Sequence, residues 1–133
     1  MADLKEKAIA LLSSVATVDL GSTGQTTIYT VPVGKKCVLD HARIRCLSGD
    51  AKATVVTFGQ VGALTDFLGA QTLVALNAAA ATGKLEVVPN ASTVIAVEYT
   101  AGTVLQIDVT TASGDGGGTP TATVELFGMI DDA

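Results

Sequence analysis

Apolar and polar positions alternate with a period of two from Thr26 almost to the end of the chain, the signature of half-buried β-strands. Ile28 and Val31 belong to a first strand that stops at Pro32, because proline removes a ladder donor. Gly34 permits the turn that follows. Lys36 to Leu47 reads as one long strand. Val38, Ala42, Ile44 and Cys46 lie on its even face, interrupted by Asp40, and Leu39, His41, Arg43 and Arg45 on its odd face. Ser48-Gly49-Asp50 ends it. Residues 53–59 (ATVVTFG) form a third strand, whereas residues 60–82 hold no single period. Lys84 to Val88 is a strand closed by Pro89-Asn90. Val94 to Thr100 and Val104 to Thr110 predict a hairpin joined at Ala101-Gly102. Ser113 to Pro120 is a glycine-rich loop. Ala122 to Ile130 is a last long strand, with Asp131 and Asp132 beyond it in solvent.

The first residues follow a different period. Asp3 and Glu6 have the spacing of a capping box. Leu4, Ala8, Leu11, Leu12 and Val15 recur at helical spacing, so the pattern predicts a short α-helix over residues 3–14 and a turn-rich linker to Gly24. The chain then divides into an N-terminal helix and linker (1–24) and a β domain (25–133). About eight short strands with no βαβ pattern predict an all-β fold, an antiparallel β-sandwich. Eight strands in two sheets is the count of a jelly roll, the variant we expect.

Composition narrows the function. A chain of 133 residues is one domain's worth and long enough to bury a core. Hydrophobic content is 48% but aromatics only 4%, so the apolar mass is Ala and Val. Each buries little area, at roughly 25 cal/mol per Å², and burial between subunits would add what a thin core lacks. A homo-oligomer is therefore expected. The formal charge of −5 argues against nucleic acid. No apolar run reaches the length of a membrane helix. The mixed charges Asp3, Lys5, Glu6 and Lys7 do not fit a signal peptide. No membrane partner is expected.

No reaction centre emerges. In an unbroken strand Asp40 and His41 point to opposite faces, and Cys37 and His41 are about 13 Å apart. Cys37 and Cys46, nine residues apart, would lie roughly 30 Å apart on opposite faces, too far for a disulfide, and read as small buried hydrophobes. Asp115 stands alone in GDGGG, where calcium needs six to eight oxygens. Glu86, Glu98, Asp108 and Glu125 fall on separate strands and read as outward polar residues. These residues predict no catalysis, metal or cofactor. Lys35, Lys36, Arg43 and Arg45 are the concentrated basic charge, suited either to an acidic partner surface or to cross-strand pairing.

Three blocks carry a resemblance: Thr27 to Lys35 (TIYTVPVGK), Tyr99 to Ile107 (YTAGTVLQI) and Val124 to Gly128 (VELFG). Together they resemble small β-sandwich structural proteins of tailed bacteriophage virions, of the capsid decoration or cement type. The resemblance implies a non-enzymatic virion component, made in the host cytoplasm. It implies binding to the major capsid protein or another virion protein, as a homo-oligomer with a trimer favoured. We expect Lys35, Lys36, Arg43 and Arg45, with Leu4, Leu11 and Leu12 of the helix, to make the partner contacts. A tail or neck component is the alternative. A carbohydrate-binding host-attachment module is a further one, disfavoured by the scarcity of aromatics.

Overall fold

The computed structural model describes residues 8–48, 51, 53–76, 83–90, 96–114 and 120–133. Among them are nine strands: β1 (Ala10–Asp19), β2 (Gly24–Thr30), β3 (Lys35–Ser48), β4 (Val55–Gln60), β5 (Ala63–Thr72), β6 (Leu85–Val88), β7 (Glu98–Tyr99), β8 (Val104–Thr111) and β9 (Thr121–Asp132). Among the same residues the helical content is one 3₁₀ turn at Val74–Leu76. One sheet runs β1-β9-β3-β6, with β7 also pairing β3, and the other runs β2-β8-β4-β5. The assigned pairings are all antiparallel.

The inner faces make one core. Val18, Ile44, Val124 and Leu126 from the first sheet are buried with Phe58, Phe67, Leu105 and Ile107 from the second. Phe58 and Phe67 meet edge to face, with ring centroids 6.5 Å apart, a favoured aromatic geometry. Tyr99 is fully buried and donates its hydroxyl to Asp66 at 2.8 Å. Asp66 also accepts from the Gln60 amide at 3.2 Å and its side chain at 2.6 Å. Burial and the adjacent carboxylate push the Tyr99 phenol far above its ordinary range.

Three expectations change. The helix over residues 3–14 is not seen where that stretch is described: Ala10 to Asp19 is β1, paired along β9. Residues 1–7 lie outside the described residues. Ser13, Ser14, Val15, Thr17 and Val18 are poor helix formers, and three of them are β-branched and suit a strand. The β9 edge supplies the partners that a helix would have supplied to itself. The segment thus belongs to the sandwich, inside the stretch assigned to helix and linker.

The hairpin at Ala101-Gly102 is a turn between sheets. β7 pairs β3, whereas β8 pairs β2 and β4. The turn itself is present, with Gly102 at φ +84°, and Gly102 donates to Val31 across the fold at 2.9 Å.

β3 changes phase part-way. Leu39 pairs Gly128 and His41 pairs Phe127, which leaves Asp40 without an opposite residue. This is a β-bulge. Cys37 and Leu39 point inward before it; Ala42, Ile44 and Cys46 point inward after it. Both cysteines therefore share the core face, contrary to simple parity, and both are buried thiols outside any disulfide. Gly128 is the small residue this crossing needs: a Cβ there would lie 2.4 Å from the Val38 carbonyl oxygen.

Candidate functional site

The phase change decides what the outer face of the β1-β9-β3-β6 sheet carries. Beyond the bulge His41, Arg43 and Arg45 point outward, and before it Lys36 and Val38 do, so these five share one face. Their register partners complete it. Rows run Asp131–Lys36, Met129–Val38–Glu98, Leu11–Phe127–His41, Ser14–Glu125–Arg43–Val87 and Thr123–Arg45–Leu85.

Phe127 lies at the centre. The His41 ring stacks on it, with centroids 4.6 Å apart and planes 4° from parallel. The Arg43 guanidinium carbon lies 4.7 Å from the same ring centroid, within cation–π range. Arg43 also reaches Glu125 at 3.4 Å, while its Nε is buried without a hydrogen-bond partner. Leu11 and Val87 flank the cluster and are about half exposed, at 51% and 49%. The other sheet differs: its outward β2 and β8 positions are Gln25, Thr27, Gln106 and Asp108, joined by polar side-chain contacts.

Most of the basic side chains expected to form a positive patch are paired. Lys35 bonds Asp132 at 2.6 Å, Lys36 lies 3.6 Å from Glu98, and Arg43 pairs Glu125. Lys35 stands at the end of the inward-facing series with Cys37 and Leu39, apart from the outer cluster. Its ammonium donates to the Asp132 carboxylate and holds it below its ordinary range. Arg45 is exposed and forms no ion pair among the described residues. The cross-strand alternative thus holds for three of the four bases.

Asp40 and His41 do meet, Oδ2 to Nδ1 at 2.7 Å, although strand parity forbids it. The bulge removes the alternation on which that exclusion rested. Their contact is exposed and backed by Phe127, with no nucleophile in the pair. Glu86 departs from expectation too. It is buried, accepting from the Ala75 amide at 2.6 Å and from the Asn90 side chain. A buried carboxylate without such donors would be costly, and these donors tie the 3₁₀ turn and the Pro89-Asn90 corner to β6.

Leu11 and Leu12 are not on one helical stripe. Leu11 faces outward beside Phe127, whereas Leu12, at a bulge in β1, packs against the core. Both leucines nevertheless border a shallow cleft of about 260 Å³, with Ala8, Ala10, Lys35, Gly128 and Ile130. Leu4 lies outside the described residues. No group of three potential metal ligands forms among the described residues, and no helix among them is long and apolar enough to cross a membrane.

Phe127, Met129 and Val87 are the face residues that sequence reasoning missed. The signal for the first two was LFGMI, a run apolar on both parities of the strand, and for Val87 it was the run LEVV of β6.

No protein-family model matches the chain, and no curated protein matches it in sequence. Among solved structures, a chain of the cyanophage Pam1 capsid asymmetric unit superposes with a TM-score of 0.55 at 16% identity. The match covers 91% of this chain and 84% of that one. At that identity the likeness is one of fold, and it takes in both sheets.

Proposed function

We propose that this chain is a non-enzymatic structural protein of a phage virion that decorates and stabilises the assembled head. The observation that carries the proposal is the near full-length fold match to a chain of a phage capsid asymmetric unit. The two coverages make that chain nearly the same length as this one, which favours a small accessory subunit over a large shell subunit. The strand order supports the jelly-roll variant of the sandwich: apart from the two-residue β7, eight strands fall four to a sheet, and successive strands mostly change sheets.

The physical basis is binding to one assembled state. A protein that binds the closed shell and not the free subunits stabilises the shell by mass action. A rigid sandwich suits this, because little chain entropy is lost on docking. We assign contact with other protein chains to the outer face centred on Phe127, with Leu11, Lys36, Arg43 and Arg45 on it. Aromatic and Arg side chains in such a cluster are the residue types that dominate interface energies.

The test is composition of the purified particle. Decoration predicts this chain in copy number comparable with the shell subunit and lost from the head under mild destabilisation. A handful of copies at one vertex would assign it to the tail or neck instead. Absence from the particle would end the virion reading.

A further inference from the structure

The outer face around Phe127 is polarised along its strands. At one end Asp131 and Glu98 flank Lys36, an excess of one negative charge. At the other end Arg45 is flanked by Thr123 and Leu85, with no carboxylate in its row. Lys84 adjoins the same end, its carbonyl accepting from Cys46 at 3.0 Å. Between the ends lie Leu11, Phe127, His41, Met129 and Val38. The Phe127–His41 row is the middle of five, two rows from Asp131–Lys36 and two from Thr123–Arg45.

We propose that a second copy of this chain covers this face, related by a two-fold axis that crosses the strands at the Phe127–His41 row. A two-fold contact uses the same patch on both partners and must be self-complementary. Such an axis lays the Arg45 end of one copy over the Glu98–Asp131 end of the other, twice. It stacks the two apolar centres and removes Leu11 and Val87 from water. The outward β2 and β8 positions of the other sheet are Gln25, Thr27, Gln106 and Asp108 instead. The second copy deepens the reading of this face as a protein-contact surface and rests on it. It does not depend on the virion assignment.

The experiment is the mass of the purified full chain by light scattering and sedimentation across a concentration series. The expected mass is twice the 13.4 kDa of one chain. Leu11→Asp with Val87→Asp should give the single-chain mass with unchanged circular dichroism. Arg45→Glu should weaken self-association at least tenfold, and Glu98→Lys added to it should restore much of the loss. Thr27→Asp, on the opposite sheet, should leave the mass unchanged. A wild-type chain that stays monomeric at high concentration, a threefold mass, or a dimer indifferent to Leu11, Val87 and Arg45 would each overturn the second copy. If those variants instead abolish particle binding by a monomeric wild type, the contact face stands and its occupant is another protein.

Discussion

Deleting Asp40 should cost the fold under about 1 kcal/mol, whereas deleting Val38 from the same strand should cost about 2–4 kcal/mol. The difference follows from the bulge. Asp40 is the residue without a partner on β9, while Leu39 and His41 already pair the adjacent Gly128 and Phe127. Removing Asp40 joins Leu39 to His41 in plain alternation, so Cys37 and Leu39 stay inward and Lys36, Val38, His41 and Arg43 stay outward. What is lost is an exposed contact with His41, worth little. Removing Val38 instead turns over the strand before Leu39. Cys37, now 1% exposed, leaves the core, and Lys36 is drawn into its inward place, where an unpaired ammonium is costly. Urea unfolding followed by circular dichroism separates the two variants. With a slope of about 2 kcal/mol per M, deleting Val38 should lower the midpoint by about 1–2 M and deleting Asp40 by under about 0.5 M. An Asp40 deletion as damaging as the Val38 deletion would refute the phase-change argument and with it the composition of the outer face.

Tyr99→Phe removes the donor to Asp66 and leaves the two Gln60 donors; a loss of about 1.5–2 kcal/mol is expected, read as a melting point lower by about 5–7 °C. Gly128→Ala should destabilise by about 1–3 kcal/mol because the new methyl meets the Val38 carbonyl, while Gly69→Ala, with open space around it, should be neutral or slightly stabilising. The Cys37 thiol, pushed up to about 11 by burial, should resist thiol-exchange reagents at pH 8 in the native protein and react once urea unfolds it. The sign of its pH effect is fixed: the unfolded thiol ionises first, so this contribution is complete below the ordinary thiol value and fades as pH rises toward 11. Rapid modification of the native protein, or a stability that rises over that range, would contradict the buried placement.

The strands with strict alternation were legible in the sequence, β3 and β9 nearly to the residue, because a period of two with one buried face has one solution. Two features were not. β1 carries leucines that also fit a helix, and only pairing with β9 decides between the readings. The bulge at Asp40 depends on how β3 meets Gly128, a contact 88 residues away in sequence. From that single offset follow the cysteines on one face, the Asp40–His41 contact and the alignment of Lys36 with Arg43 and Arg45. The basic residues were legible as a cluster, but their neutralisation was not, since Glu98, Glu125 and Asp132 lie far along the chain and reach them only across strands.

The central claim, a shell-bound structural role, is tested most directly by imaging the phage particle that contains this chain at a resolution sufficient to place a β-sandwich. The account predicts jelly-roll density on the outside of the head at symmetry-related positions, seated between neighbouring shell subunits. A head surface without such density, with this protein recovered only from the soluble fraction of infected cells, would contradict it.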